Sequence, residues 1–486
     1  QGQAPDAWAG GFAAAAHAAL LDAPIVLATG DSLPPATLDW LRDGATDPGY
    51  AVVPADGSPV LTCVVVPSLC EEARVTLGLP PAEEAAGPVE LLSTDADGVA
   101  TGGYEPAISN DGTVVAFLSD GDVADLAGGD GLTHVYAVTT GGSRMIDVAP
   151  SGQPASDDAY DVFVSGDGRY VAFTSDDQTL SGDAVDAART AYVHDLTTGT
   201  TRPVSFDAEG APGSYVLHVS VDEDASVVSY VSQGSVGQAT GCACYWMWWH
   251  DLEGGEVGFV ATPDGMPVQA EGSIRPTLSG DGRFIAFMTS QALVDDDTNT
   301  ATDAYIFDRS TDLLELVSVT ADGSASSAED FNTPDEIGIS HDGRFVAFAH
   351  QGADLVEPPA GLEDQIYLRD RLTRTTTLLS TGGEGQGSRL NANPRLSSDG
   401  RWAVFATGRE LVGDEGGCGV YRWSALDGSL ARIDSGAVDT ANNCPYRVDV
   451  ADNGIVVFDH LATLHAGDDS HQNVFGGNDV YRSGPG

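Results

Sequence analysis

Short apolar runs separated by turns rich in glycine and aspartate recur along most of this chain. One phrase marks each recurrence. It reads Ser-His-Asp-Gly-Arg-Phe-Val-Ala-Phe at 340–348, with close copies at 165–173, 279–287 and 397–405 and weaker ones within 108–117, 219–230 and 448–458. The aspartates taken as the turn position are Asp111, Asp167, Asp224, Asp281, Asp342, Asp399 and Asp452, at spacings of 56, 57, 57, 61, 57 and 53. A period of this length marks stacked supersecondary units, none of which can bury its apolar surface alone. Each unit holds four runs of strand length rich in β-branched and aromatic residues. In the fourth unit these are 275–278, 284–288, 304–307 and 314–319. Tight turns join them, with Gly282 free to take positive φ in the first and Asp195-Leu196-Thr197-Thr198-Gly199 as the clearest example of the third. Four antiparallel strands repeated around a ring form a propeller blade. The pattern therefore predicts a mainly β chain with a seven-bladed β-propeller over 88–486.

The ring closure is also written in the pattern. The last unit ends at Asp479-Val480-Tyr481-Arg482, which matches a third strand, and no fourth follows. A matching fourth strand stands before the first unit, at 89–93, followed by a turn that resembles the one after 314–319. The last blade is expected to take its outer strand from there, which leaves the repeat array without an open end.

Residues 1–87 differ. An alanine-rich helix is expected over 8–21, a buried strand at 25–28, and a capped helix after Asp31-Ser32. Alternating elements of this kind predict a small N-terminal α/β domain.

Two resemblances follow from these residues. The Ser-x-Asp-Gly-Arg-aromatic-Val-Ala-Phe phrase, with the later Asp-x-Tyr-x-x-Asp of 303–308, resembles the TolB-like (WD40-like) β-propeller repeats over roughly 88–486. Pro5-Asp6-Ala7-Trp8-Ala9-Gly10-Gly11, the run at 23–27 and Asp31-Ser32-Leu33-Pro34-Pro35-Ala36-Thr37 resemble a partial type-2 cell-wall-binding repeat. That second resemblance implies surface attachment through acidic wall glycopolymers. The chain enters the repeat partway and carries one copy.

Charge narrows the partners. The net charge is -52 and every cationic side chain other than histidine is one of 21 arginines. Such a surface repels nucleic acid and anionic lipid, and an acidic wall polymer too unless cations bridge the two. The alanine-rich segment is too short and too rich in small residues to span a bilayer. The six cysteines suggest three local disulfides, Cys63 with Cys70, Cys242 with Cys244 and Cys418 with Cys444. That usage fits an extracellular or cell-surface protein whose signal peptide has been removed.

Candidate chemistry is sparse. Asp295, Asp297, Asn299 and Asp303 present oxygen ligands at alternate positions and suggest calcium as a bound ion. Asp183 with Asp186, and Asp468 with Asp469 and Asn473, stand in equivalent loops. The stretch Cys242 to His250 holds three tryptophans. It reads as a carbohydrate platform, a subunit contact, or a third strand packed between blades, with Trp246 and Trp248 on one face and Tyr245, Met247 and Trp249 on the other. The turn arginines Arg169, Arg283, Arg344 and Arg401 are expected at one end of the ring, paired with their own turn aspartates. The acidic second-to-third loops lie at the other end.

No hydrolase elbow, metalloprotease, haem or phosphate-loop motif occurs. The expected function is thus a non-catalytic surface or assembly module that self-associates, with carbohydrate as a further partner. The alternative is a secreted carbohydrate-active hydrolase or lyase at the acidic end of the channel. A histidine or carboxylate pair converging on the channel would favour the alternative.

Overall fold

The computed structural model describes residues 89–125, 130–182, 185, 187–207, 210–233, 244–270, 274–299, 301–327, 336–357, 365–381, 393–409, 411–412, 418–434, 445, 447–460 and 478–484. The helices and strands expected over 1–87 lie outside them, as do Cys63, Cys70, Cys242, Cys444, Asp183, Asp186, Asp468, Asp469 and Asn473.

Seven antiparallel sheets stand in a ring, six built from strands consecutive in the chain and the seventh from the last three strands and the first described one. The innermost strands are Tyr104–Ile108, Ala159–Val164, Ser214–Val221, Thr277–Leu278, Gly338–Ile339, Arg395–Leu396 and Val448–Val450. Each touches the next, and the last touches the first, so the ring is closed. We number the blades 1 to 7 in this order. Blade 4 adds Phe284–Thr289, Asp303–Asp308 and Leu313–Leu316 to its inner strand, close to the expected runs. Blade 3 carries a fifth strand, Gln269–Ala270, beside Tyr245–Asp251. Among the described residues no helix is long and apolar enough to cross a membrane.

Each second strand is buried on both faces, because a blade is covered by a neighbour on either side. That is why these strands read as continuous apolar runs rather than alternating ones. The phrase's phenylalanine stacks on a tyrosine of the third strand at 5.7–6.1 Å in six blades, as in Phe173–Tyr192 and Phe458–Tyr481. Blade 3 uses Tyr230 opposite Trp248. Such cross-strand aromatic pairs add about 0.5–1.5 kcal/mol each beyond the area they bury. The tyrosine hydroxyl then donates to a loop carbonyl, Tyr192 to Asp177 and Tyr367 to Gly352, each at 2.9 Å.

The tryptophan-rich stretch is the buried third strand of blade 3. Trp246 and Trp248 pack toward blade 2, while Met247 and Trp249 pack toward blade 4, as strand alternation requires.

Blade 7 closes as expected. Its sheet runs Glu90–Leu91, Asp479–Arg482, Val456–His460, Val448–Val450, with Glu90 opposite Arg482 and Leu91 opposite Tyr481. Ser93 locks the joint: its hydroxyl donates to Asp479 Oδ1 at 3.0 Å and accepts the Val480 amide at 3.0 Å.

Candidate functional site at the ring axis

The repeated phrase builds the mouth of the central channel. In blade 4, Ser279 Oγ donates to Asp281 Oδ1 at 2.5 Å and accepts the Phe284 amide at 2.9 Å, and the Arg283 amide donates to the same Asp281 oxygen. Blades 2, 5 and 6 repeat this triangle at 165–170, 340–345 and 397–402. It folds each inner turn onto itself and presents the residue before the aspartate to the channel.

Those residues join hands around the ring. The amides of Asn110, Asp167, Glu223, Asp281 and His341 donate to the carbonyls of Gly166, Glu223, Gly280, His341 and Ser398 at 2.7–3.0 Å. The Asp399 amide donates to Asp452 Oδ1 at 2.9 Å, and the Asp452 amide returns to the Asn110 carbonyl at 2.8 Å. Seven hydrogen bonds thus form an unbroken belt. Asp452 therefore stands where blades 1 to 6 place Asn110 through Ser398, and Asn453 takes the turn-aspartate position, its Oδ1 accepting the Ile455 amide. This corrects the sequence reading by one residue in blade 7.

Across the mouth, Asn110 Nδ2 donates to Glu223 Oε2 at 2.7 Å, and His341 Nδ1 lies 3.4 Å from the same oxygen. Gly166 and Gly280 make room: an added Cβ would lie 2.5 Å from Asn110 and Glu223 in the first case and 2.3 Å from His341 in the second. Beneath is a cavity of about 80 Å³, whose lining includes Thr277, Arg395 and Asp449.

Deeper on the axis lies a charged network that the sequence reading missed. Six residues before the turn position of each blade stand Glu105, Asp161, His218, Arg275, Glu336, Asn393 and Arg447. The inner strands of blades 1, 2 and 3 shift register at this level, and Glu105 has a left-handed φ of 54°. Arg275 reaches Glu105 at 2.9 Å, Asp161 at 3.1 Å and Glu336 at 3.5 Å. Arg447 reaches Glu105 at 3.0 Å, Asp161 at 3.2 Å and Glu336 at 3.0 Å. Arg395 lies 3.1 Å from Glu336. Glu105, Asp161, Glu336, Arg395 and Arg447 are all buried, and Arg275 nearly so. Burial pushes Glu105 up to about 7. Glu336 is held down at about 2: burial opposes the shift, and Arg395, Arg447 and Arg275 outweigh it. Asp161 is also held low, by Arg447 above all, and burial pushes His218 down.

A carboxylate pair and a histidine thus converge on the channel, the feature expected of an enzyme. Each of these carboxylates, however, is held by arginines from other blades, so the set is a closed ion-pair network rather than an open acid–base pair.

The sequence-predicted sites fall elsewhere. Asp295 is exposed, and Asp297 accepts the Tyr305 hydroxyl. Asn299 donates to the Ser326 carbonyl at 3.0 Å. Asp303 is buried, 2.6 Å from Ser318 Oγ and 3.1 Å from His350 Nε2. Among the described residues no three Asp, Glu, His or Cys side chains gather as a metal-binding group. Calcium at this loop stays a proposal. It requires that calcium raise the melting temperature and that Asp297→Ala abolish the rise; a melting curve unchanged by chelator rejects it. Neither Cys244 nor Cys418 is a free thiol.

The turn arginines do not pair as expected. Arg169, Arg283 and Arg344 each reach the aspartate that ends the third strand of their own blade, Asp195, Asp308 and Asp370, at 2.7 Å. Arg401 alone among the four pairs with its turn aspartate, Asp399. The turn aspartate's Oδ1 is already taken by its serine and the arginine amide, which leaves the fork to the next carboxylate within reach.

One histidine makes a pH prediction. Buried His134 places Nδ1 2.7 Å from Asp147 and Nε2 3.2 Å from Asp130. Burial opposes its charge, but Asp147 and then Asp130 outweigh it and raise the imidazole to about 9. Burial also pushes Asp147 up; we assign the shared proton to the imidazole, because it faces two carboxylates. The folded value lies above the unfolded one, so the contribution is complete below about pH 6.5 and is lost as pH rises through about 9. Thermal melts from pH 6 to 10 are expected to fall more steeply for the wild type than for His134→Gln, and parallel curves would reject the pairing.

No family model matches the chain, and no curated protein matches it. The resemblance to a cell-wall-binding repeat gains no support from these comparisons. Solved structures do match. TolB from Acinetobacter baumannii aligns at 16% identity and TM-score 0.40, over 66% of this chain, which spans only 63% of that TolB. The β-propeller domain of the trilobed protease from Pyrococcus furiosus aligns at 14% identity and TM-score 0.44, over 74% of this chain and 91% of that one. An oligogalacturonate lyase from Vibrio parahaemolyticus aligns at 14% identity and TM-score 0.48, over 81% and 93%. This chain is a seven-bladed β-propeller similar in fold to these proteins.

Proposed function

We propose that this chain is a non-catalytic recognition and packing module that works outside the cytoplasm, with the ring as a rigid frame and its outer faces as contact surfaces. The observation that carries this reading is the axial network. Arginines from blades 4, 6 and 7 are bound to carboxylates from blades 1, 2 and 5 across the ring axis. The cavity above it, about 80 Å³, is far below the roughly 300–1,000 Å³ of ordinary small-molecule sites. Self-association and binding of a wall glycopolymer or other carbohydrate belong to the same proposal. Cysteine usage suited to an oxidising compartment supports the location; the acidic surface opposes contact with another acidic surface unless cations screen it, so assembly should require them.

Sedimentation velocity of the full chain, with and without calcium and salt, tests the assembly. Species that grow with concentration and with divalent cation are expected; a monomer throughout rejects self-association. A second reading, a secreted hydrolase or lyase, rests on the convergence of Glu105, Asp161 and His218. Turnover of an acidic polysaccharide that disappears in Asp161→Asn would establish it in place of the first.

A further inference from the structure

The axial network holds more buried negative charge than positive. Its cations are Arg275, Arg395 and Arg447, and its carboxylates are Glu105, Asp161 and Glu336, joined from blade 7 by Asp449, whose lining position brings it beside Arg395. Four carboxylates therefore face three arginines. Asn393 is neutral, and His218 Nδ1 stands 3.8 Å from Asp161 without a hydrogen bond. The neighbouring strands of blade 7 add Asp459, which accepts the Arg447 amide at 2.8 Å, and Asp479, which accepts the Gly102 amide at 3.1 Å. No further arginine reaches Glu105, Asp161, Glu336 or Asp449 among the described ion pairs.

Geometry says which carboxyl gives way. Burial raises the Asp449 carboxyl as well, but it is opposed by Arg395 and by two backbone amides, from Ile108 at 3.0 Å and Val450 at 2.9 Å, donors of a kind that Glu105 lacks. Asp161 accepts the Val219 amide at 2.9 Å besides its two arginines. Glu336 lies within 3.5 Å of all three arginines. Glu105 shares both of its arginines with Asp161 and with Glu336, receives no backbone donor, and sits on a left-handed residue at a bulge. Two carboxylates that compete for the same cations in a buried site cannot both ionise freely.

We infer that Glu105 is a proton-holding lock at the ring axis, protonated when the propeller is tightest and loosening the axis when it releases its proton. The direction follows from linkage. Glu105 holds its proton more firmly in the folded ring than in the unfolded chain, with values of about 7 and 4.5. Its contribution is thus complete below about pH 4.5 and is lost as pH rises through about 7. The folding equilibrium of the wild type is expected to weaken by roughly a hundredfold over that window relative to Glu105→Gln, which is neutral at every pH.

The experiment compares urea unfolding of the full-length wild type, Glu105→Gln and Asp449→Asn at intervals from about pH 4.5 to 8. The lock predicts that Glu105→Gln flattens the wild-type slope in this window and that Asp449→Asn keeps it. A slope that persists in Glu105→Gln, or one that vanishes in Asp449→Asn instead, overturns the inference. Should Glu105→Gln fail to fold, carbon NMR of the wild type labelled only at glutamate carboxyls decides, since aspartates are then silent. One glutamate titrating near neutrality supports the lock, and none doing so overturns it.

Discussion

Replacing Arg447 by methionine is expected to destabilise the propeller by about 3–5 kcal/mol at neutral pH, the cost of breaking a buried charge network from one side. The guanidinium touches three carboxylates from three blades, Glu105, Asp161 and Glu336, and is itself buried. Without it those groups keep only Arg275 and Arg395. Methionine keeps the unbranched stem as far as the place of Nε, so the loss is one of charge more than of packing. Acid should restore part of the stability, because protonated carboxyls no longer need the cation. Arg344→Ala serves as the control: that guanidinium also binds a carboxylate at 2.7 Å, but its side chain is 32% exposed at the rim, where solvent screening leaves such a pair little net effect. Urea unfolding of the two variants beside the wild type gives the comparison. Equal losses would mean that the axial network is no more than ordinary surface pairing.

Removing the closing strand should have an effect at least as large. Leu91 and Leu92 point to opposite sides of blade 7, Leu91 into the core shared with blade 6 and Leu92 into the core shared with blade 1. The strand Glu90–Leu91 and the residue after it therefore seal both joints of the last blade. The double change Leu91→Ala with Leu92→Ala is expected to cost about 4 kcal/mol or more, at about 2–5 kcal/mol for each buried leucine. Hydrogen exchange should then show blades 7 and 1 losing protection first while blades 3 to 5 hold. Uniform loss around the ring would show that closure is not localised there.

The two sites differ in how far the sequence disclosed them. Closure was legible because a missing fourth strand is a local absence and its replacement repeats the same apolar pattern. The triangle of serine, aspartate and arginine amide was legible for a similar reason: one turn geometry demands the same residues each time. The alternation of Trp246 and Trp248 against Met247 and Trp249 follows from strand period alone. The axial network was not legible, because the residues of its main column come one per blade and are chosen to differ. A residue that must meet its opposite charge across the ring cannot be repeated in every blade, so the column looks like loss of pattern. Blades aligned on the turn expose it as a run of ionisable residues broken only by Asn393. The arginine pairing was misread for a spatial reason: Asp195, Asp308 and Asp370 lie 25 or 26 residues from their partners and reach them only once the third strand folds back.

The belt at the channel mouth has a parity. Blades 1, 3, 5 and 7 donate from Asn110, Glu223, His341 and Asp452, the residue before the turn aspartate position, whereas blades 2, 4 and 6 donate from the next residue, Asp167, Asp281 and Asp399. Side-chain size keeps step: the odd blades carry Asn, Glu, His and Asp where the even ones carry Gly166, Gly280 and Ser398. A two-state alternation closes without fault only around an even ring, and seven members must place two of one kind side by side. The fault falls between blades 7 and 1, with a side-chain acceptor, Asp452 Oδ1, just before it. Blade 7 is also the blade in which the first described strand, Glu90–Leu91, pairs with the last, Asp479–Arg482. The fault in the alternation and the closing strand thus share blade 7, and only an even-type blade inserted between blades 7 and 1 would let the alternation run without a seam.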